Sequence, residues 1–386
     1  MAATPEHHHG PHRRVATWAI TGLAACVVAA GALGIEMSAG KGGGAPSPRP
    51  VTAAAAPAPA VVPLSVVATA PSNGASDVAS NQVITVSLST ALSPSSPAPS
   101  LTPPVAGSWA FAGGSELAFE AEASLVPGTA ETLTVPGGPG GLVAVDGARM
   151  GTSLVVRFSV ATGSTLRLQQ LLAELGYLPV SFQARTSPTA PQDEAVAQTG
   201  TFAWRWSGLP GFLTSLWSPG TYGVLTRGAV MRFETVQGLA TDGSAGPDVW
   251  AALLRAVATD EVDPQPYDYV YVSTTVPETV TVYETGTAVY ETLCNTGVAA
   301  MPTTAGTYPV FARYVVTTMV GTNPTGSHYV DPGIPWVSYF HGGDALHGYV
   351  RAGYGFPQSD GCVEMPPANA EVVFPLTPIG TLVTVE

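Results

Sequence analysis

The stretch Ser359-Asp360-Gly361-Cys362-Val363-Glu364-Met365 follows an upstream Leu346-His347-Gly348-Tyr349, and the cysteine comes 15 residues after the histidine. A cysteine attacks as the thiolate, and a free thiol with a pKa of about 8.5 is mostly protonated near neutrality. A histidine that takes the proton makes such a thiol nucleophilic. The two motifs therefore predict a cysteine nucleophile, Cys362, with His347 as its base.

The glycines beside both residues predict tight backbone geometry around the thiol. Glycine allows sharp turns and close approach of one backbone to another. A turn of this kind can aim successive N–H groups at one point, where they stabilise an oxyanion. We therefore expect the backbone amides of Asp360, Gly361 and Cys362 to form an oxyanion hole, with Ser359 and Gly348 in supporting positions.

The sequence around these motifs is rich in β-forming residues. Tyr267 to Thr275 alternates between two faces, and residues 279–283 and 307–320 are β-branched or aromatic. Such runs predict strands. Residues 263–386 are therefore expected to form one β-type domain that carries the site.

Residues 164–258 change to a helical pattern. Leucines recur at helical spacing from Leu166 until Gly176, and residues 226–233 and 247–257 continue the pattern. Residues 179–220 separate the first helical segment from the other two. This segment contains Trp204, Trp206 and Trp217, which we expect in a core, although exposed indoles would be able to stack on sugar rings.

Residues 64–160 contain several short strand-like segments. Residues 83–88, 131–135 and 154–158 are rich in β-branched residues and are separated by Gly/Pro turns. This spacing predicts a small β-sandwich that acts as a spacer. The chain as a whole is thus expected to be mainly β and multidomain.

The N-terminal region is expected to direct export of the rest of the chain. Residues 15–35 lack charge and, at roughly 1.5 Å per residue, are long enough to cross the roughly 30 Å apolar core of a bilayer. Arg13 and Arg14 precede this run, which predicts a cytoplasmic tail at residues 1–14 and a single transmembrane helix. A cleaved signal peptide and a lipoprotein anchored at Cys26 are alternatives. Residues 36–63, rich in Pro, Ala and Gly, are expected to be a linker.

Composition and cysteine content bear on whether the chain binds nucleic acid, forms a disulfide or holds a metal. The net charge of −13 argues against nucleic-acid binding, which needs a basic surface. Cys294 and Cys362 lie outside the apolar run, so a disulfide between them is one alternative, and a buried Cys294 is another. A metal site made of His341, Asp344, His347 and Cys362 is a further alternative. We expect no metal and no cofactor.

These motifs together resemble the L,D-transpeptidase (YkuD-type) catalytic domain, whose signature is a His followed by Ser/Thr-His-Gly-Cys. Residues 294–297 and 302–310 resemble the family's strand and loop before the active site, and residues 375–385 resemble its closing strand. Residues 70–78 look like the start of bacterial immunoglobulin-like domains. Segments of 168–177 and 226–250 resemble the three-helix peptidoglycan-binding module, and this resemblance implies that residues 179–220 are an insertion foreign to the module.

The chain departs from this family pattern at several positions. Asp360 stands where relatives usually have a second His, and a carboxylate so close to Cys362 disfavours the thiolate. Glu364 stands where Asn or Arg is frequent. Only 11 residues separate His347 from Ser359, which is fewer than usual, whereas His341 would give 17. His347 remains the predicted base because its neighbours match, and His341 is expected to be structural or to contact substrate.

The resemblance implies a cell-wall enzyme at the extracytoplasmic side of the membrane. It would join peptidoglycan stem peptides through a thioester on Cys362. Its partners would be these stem peptides, and glycan is a further candidate partner. A hydrolase that trims stems on the same scaffold is one alternative. A weak or inactive peptidoglycan-binding protein is the other.

Overall fold

The computed structural model describes residues 62–111, 114–186, 188 and 190–386. The predicted tail and membrane span lie outside these residues, as does the predicted linker up to residue 61. Within the described ranges, no helix combines the length and the apolar character needed to cross a bilayer. The described residues form a β-sandwich, a helical domain and a second β domain along the chain.

Residues 64–160 form a sandwich of two antiparallel sheets, as their β-branched segments predict. Alternate side chains such as Val86 and Leu133 point inward and are fully buried between the sheets. The sheets have the strand orders β1-β2-β5-β4 and β3-β6-β7. The strands are β1 (Val66–Ala70), β2 (Ile84–Leu88), β3 (Ser100–Thr102), β4 (Gly107–Phe111), β5 (Glu116–Ala121), β6 (Ala130–Val135) and β7 (Leu154–Ser159).

The helical domain packs its helices around a core that includes Leu171, Phe233 and Trp250. The Ser164 side chain caps the first helix, and Gly176, with φ +87°, follows its end as predicted. The predicted insertion contributes a β-hairpin and a short helix. The elements are α1 (Thr165–Glu174), β8 (Val180–Ala184), β9 (Gly200–Trp204), α2 (Gly211–Thr214), α3 (Val224–Gln237) and α4 (Pro247–Thr259).

The three tryptophans of the insertion have different surroundings. Trp217 packs against buried clusters, as predicted, and meets Phe202 edge-on with ring centroids 5.2 Å apart. Trp206 stacks on Tyr267 at the start of the next domain, at 6.2 Å. Trp204 is 37% exposed, so the prediction of a core position is wrong for it. Its strand, β9, pairs only with β8 in the described part of the chain, so Trp204 lies at the edge of a two-stranded sheet.

The C-terminal domain consists of two sheets with an apolar core between them. One sheet has the order β12-β11-β10-β18-β13 and the other β14-β15-β16-β17. The elements are β10 (Asp268–Ser273), β11 (Thr279–Glu284), β12 (Thr287–Leu293), β13 (Gly306–Pro309), β14 (Ala312–Thr322), β15 (His328–His341), β16 (Asp344–Gly348), β17 (Val363–Met365), α5 (Pro367–Val373) and β18 (Leu382–Val385).

The β-branched run at 307–320 is not one strand, contrary to the sequence pattern. The Val310 amide donates to the Thr381 carbonyl, whereas the next amide, from Phe311, donates to the Tyr339 carbonyl. The chain therefore passes from one sheet to the other between β13 and β14. Periodicity alone gives no sign of this change, because β-branched and aromatic residues continue on both sides of it.

The helical domain meets the C-terminal domain through a close backbone contact. A Cβ on Gly228 of α3 would lie 2.6 Å from the Gly380 carbonyl oxygen, which is closer than side chains tolerate. Arg232 on the same helix forms an ion pair with Asp263, with a distance of 2.9 Å between Nη2 and Oδ1. The glycine contact fixes α3 against the loop that precedes β18, and the ion pair fixes α3 to the segment that precedes β10.

Candidate active site

An open cavity of about 260 Å³ brings together both side chains predicted to be catalytic. His347 reaches it from β16, and Cys362 reaches it from the residue before β17. Because β16 and β17 pair in parallel, with His347 opposite Glu364, the two side chains enter at the same end of the sheet. The lining residues are Met319, Asn323, Tyr329, Asp331, Ile334, His347, Tyr349, Arg351, Gln358, Asp360, Cys362 and Glu364.

The loop before the cysteine is held by the buried side chain of Ser359. Its hydroxyl accepts a hydrogen bond from the Gly361 amide at 3.2 Å and donates one to the Cys362 carbonyl at 2.5 Å. The amides of Gln358 and Ser359 both donate to the Thr296 carbonyl. Ser359 therefore orders the loop that carries Cys362, and its predicted supporting role in the reaction remains a prediction.

Thr296 is itself fixed by a buried carboxylate. Glu278, with no exposed surface, accepts hydrogen bonds from the Thr296 amide and hydroxyl, each at 2.7 Å. Glu278, the residue before β11, thus holds Thr296, whose carbonyl holds the loop before Cys362. Sequence reasoning placed residues 294–297 before the active site but did not find Glu278, which no spacing connects to the cysteine.

Gly361 is required where it stands. Its φ is +111°, and a Cβ there would lie 2.8 Å from Oδ1 of Asp344. Its amide is already engaged by Ser359. The oxyanion hole predicted from the amides of Asp360, Gly361 and Cys362 remains a prediction, and in this conformation one of those donors serves the loop instead.

The Cys362 thiol is half-buried and held in its protonated form. It donates to the Gly343 carbonyl at 3.6 Å and packs against apolar side chains that include Val337 and Ala345. Burial raises the pKa of Cys362 to about 12, against a hydrogen bond from the Ala345 amide that lowers it. The carboxyl groups of Asp344, Glu364 and Asp360 raise the pKa further, as the position of Asp360 in the sequence predicts.

His347 is only 3% exposed, and its ring has a defined orientation. Nδ1 lies 3.0 Å from the Gly348 carbonyl oxygen. A carbonyl only accepts, so Nδ1 carries the proton and Nε2 is left as the basic nitrogen. Burial lowers the pKa of His347, although the bond to Gly348 and the charge of Glu364 oppose this. A neutral imidazole in this form suits a general base.

Gly348 allows α5 to approach the strand that carries the histidine. A Cβ at this position would lie 2.9 Å from the Pro367 Cα and 3.1 Å from the Pro335 Cγ. Backbone cannot move away as a flexible side chain can. The glycine after His347 therefore has a packing reason in this fold.

A bidentate ion pair forms one wall of the cavity, and sequence reasoning missed half of it. Nε and Nη2 of Arg351 donate to the two carboxylate oxygens of Glu364, each at 2.7 Å. The guanidinium also lies 4.6 Å from the centre of the Tyr349 ring. Glu364 at the unusual position is thus neutralised locally. The position of Arg351, two residues after the His347 motif, is the sequence feature that could have indicated its place in the cavity.

The positions of His341 and Cys294 bear on the metal-site and disulfide alternatives. His341 packs against Tyr308 in a tilted arrangement, with ring centroids 4.3 Å apart, and is not among the cavity residues. Among the residues that the structure describes, no group of three His, Cys, Asp or Glu side chains is placed to hold a metal ion. Cys294 and Cys362 are both free thiols, and Cys294 lies in the core.

A larger cavity elsewhere lacks such chemistry. It measures about 670 Å³ and lies between the sandwich and the helical domain. Its walls are mostly apolar, and they include neither cysteine nor histidine. The smaller cavity around Cys362 is therefore the candidate active site.

Family models match three parts of the chain. Residues 267–385 match the L,D-transpeptidase catalytic domain. The C-terminal domain is therefore similar to L,D-transpeptidase catalytic domains. Residues 60–160 match a bacterial Ig-like domain and residues 211–253 a putative peptidoglycan binding domain, as the sequence resemblances predicted. The match to the putative peptidoglycan binding domain begins after α1, although α1 packs into the same core as the matched helices.

Solved structures of L,D-transpeptidases are similar to the chain. The catalytic domain of the E. faecium enzyme acylated by ertapenem is 25% identical, covers 32% of this chain and all of its own (100%), and has a TM-score of 0.29. An enzyme from Mycobacterium smegmatis is 12% identical over 84% of this chain and 100% of its own, with a TM-score of 0.28. One from Mycobacterium tuberculosis is 12% identical over 83% and 98%, with a TM-score of 0.28. No curated protein sequence matches the chain.

Proposed function

We propose that this protein cross-links peptidoglycan through a thioester on Cys362. The observation that supports this proposal is the common cavity of Cys362 and His347 within an L,D-transpeptidase catalytic domain. The neutral imidazole and the protonated thiol suit general-base activation rather than a preformed ion pair.

The proposed first step is acylation by a donor stem. Nε2 of His347 takes the thiol proton while Sγ of Cys362 forms a bond to the carbonyl carbon of the third stem residue. The bond to the terminal D-alanine then breaks, and the imidazolium gives its proton to the leaving amine. A thioester and free D-alanine result.

The proposed second step transfers the acyl group to an amine of a neighbouring stem. The amine forms the new amide bond, the C–S bond breaks, and the thiol regains a proton through His347. Water in place of the amine gives the trimming reaction, so the two activities share every residue. The putative peptidoglycan binding domain fixed to this domain would raise the local concentration of stems.

The test is intact mass after incubation with ertapenem or with a tetrapeptide stem. We expect an adduct that maps to Cys362 and disappears in Cys362→Ala. With a stem and an amine acceptor, the product should be an amide dimer. An unmodified protein under both conditions would favour the inactive wall-binding alternative, and a trimmed stem alone would favour the hydrolase.

We also propose an extracytoplasmic location with residues 15–35 as a membrane anchor. The support is the uncharged run after Arg13 and Arg14. The mass of the mature N-terminus in a membrane fraction tests it. An intact N-terminus supports the anchor, whereas cleavage before Cys26 with lipid attached, or release of a shortened chain, contradicts it.

A further inference from the structure

The charges of the active-site cavity are unbalanced. Arg351 is the only cationic side chain lining it apart from the histidine, and Glu364 occupies that guanidinium with both oxygens. Asp331 and Asp360 line the same cavity, and neither forms a salt bridge in the described part of the chain, although the charge of Asp360 raises the pKa of Arg351. With three carboxylates against one guanidinium, the cavity has an excess of negative charge that a cation from outside would balance.

The two carboxylates approach from different walls. Asp331 and Tyr329 are two residues apart on β15, so their side chains leave the same face of that strand. Asp360 lies in the loop two residues before the nucleophile. Tyr329 lines the same cavity as Cys362, Asp360 and Asp331. Burial raises the pKa of the Tyr329 phenol, and the charges of Asp360 and Asp331 raise it further.

A buried base opens into the same space. His347 is 3% exposed, and its Nδ1 is bound to Gly348, so Nε2 is the nitrogen that remains for a ligand. A cation held by Asp331 and Asp360 would thus lie beside both the thiol and a proton acceptor.

We propose that Asp331 and Asp360 bind the ammonium group of the acceptor amine in the second half of the reaction, a role that rests on the proposed transpeptidase function. The amine binds as the ammonium ion and first releases one proton to bulk water. Its nitrogen lone pair then forms the amide bond to the thioester carbon as the C–S bond breaks. Neutral His347 takes the second N–H proton and gives it to the departing thiolate.

This role gives Asp360 a function that an imidazole would not supply. A carboxylate carries a fixed negative charge at neutral pH, whereas a histidine does not. Charge complementarity raises the local concentration of the cation. The same charge opposes thiolate formation, so the site favours a cationic acceptor at the expense of a reactive resting thiol.

The experiment lets two nucleophiles compete for one acyl-enzyme. The full chain is incubated with a tetrapeptide stem, Nα-acetyl-lysine amide as a cationic amine and hydroxylamine as a neutral one at pH 7. The ratio of the two products does not depend on the rate of acylation. We expect Asp331→Asn and Asp360→Asn each to lower the lysine-to-hydroxylamine ratio about tenfold, which corresponds to about 1.4 kcal/mol. Added salt should lower the ratio of the wild type but not of the double variant.

Glu371→Gln is the matched control, because it removes one exposed carboxylate from α5, outside the cavity. Its product ratio should equal that of the wild type. Unchanged ratios in Asp331→Asn and Asp360→Asn, in proteins with wild-type melting temperatures, would overturn the proposal, and a change in only one would overturn the paired site. Absence of both products from the wild type would instead overturn the proposed function.

Discussion

Cys294 and Cys362 are two free thiols of the same domain with opposite surroundings. Cys294 has no exposed surface and lies among aliphatic side chains of the core between the sheets. Cys362 is half-buried in a polar cavity that also contains His347. Burial raises the pKa of both thiols, with Glu278 adding to the effect at Cys294 and carboxyl groups adding to it at Cys362.

A low thiol pKa is therefore not what separates the proposed nucleophile from the structural cysteine. Both are protonated at neutral pH in the substrate-free protein. Only Cys362 has access to solvent and a neutral imidazole that can take its proton as it attacks. The difference predicts that the reactivity of Cys362 depends on the base and on the geometry of its strand, which the following changes test.

The largest effect is expected from His347→Gln. Glutamine keeps a polar side chain but cannot accept the thiol proton, and a general base contributes on the order of 10²–10⁴ in rate. Acyl-enzyme formation with ertapenem, followed by intact mass, should slow by that factor. A rate within threefold of wild type would mean that Cys362 does not need this base and that access alone distinguishes the two cysteines.

The pH dependence of alkylation gives the next largest contrast. Because the pKa of Cys362 is raised to about 12, its thiolate is the minor form below that pH and grows tenfold per pH unit. Labelling of Cys362 by iodoacetamide should therefore rise about 10³-fold from pH 7 to pH 10 without levelling off. Peptide mapping should find Cys294 unlabelled throughout in the native protein. A plateau near pH 8.5 would show an ordinary exposed thiol.

Gly348→Ala tests the position of the base rather than its chemistry. The added methyl group would meet the Pro367 backbone at 2.9 Å, so α5 has to shift from the strand that carries His347. Overpacking of this kind typically destabilises by about 1–3 kcal/mol. Thermal melting should report that loss, and ertapenem acylation should slow more than in Gly140→Ala, whose added Cβ would have open space. Equal melting temperatures in the two variants would contradict the packing argument.

Much of this fold could be predicted because local signals agree with the final structure. The caps and glycines around α1 and the period of α3 and α4 mark the helices within a few residues. Alternation marks β2, β6 and β10 for the same reason. The passage from β13 to β14 could not be predicted, since the change of sheet is decided by strand pairing far along the chain.

The sequence motif of the candidate site could be predicted, whereas the other residues that line or support the cavity could not. His347 and Cys362 are both marked by neighbouring glycines in the sequence. Glu278 and Arg351 act through contacts made only when distant segments fold together, at 2.7 Å from Thr296 and Glu364 respectively. Asp331 carries no local signal except its place on the same strand face as Tyr329. Residues that line a cavity from a different strand are set by register, which single-sequence periodicity does not give.

The smallest effect is expected from Cys294→Ala. Loss of one buried sulfur from a packed core resembles the loss of one methylene and should cost about 1 kcal/mol. The ertapenem adduct on Cys362 should form at the wild-type rate, because no atom of Cys294 lines the cavity. Cys294→Ser places a hydroxyl among the same aliphatic side chains and should destabilise more than alanine. If alanine instead abolished acylation while the protein stayed folded, Cys294 would belong to the reaction, and the contrast between the two thiols would fail.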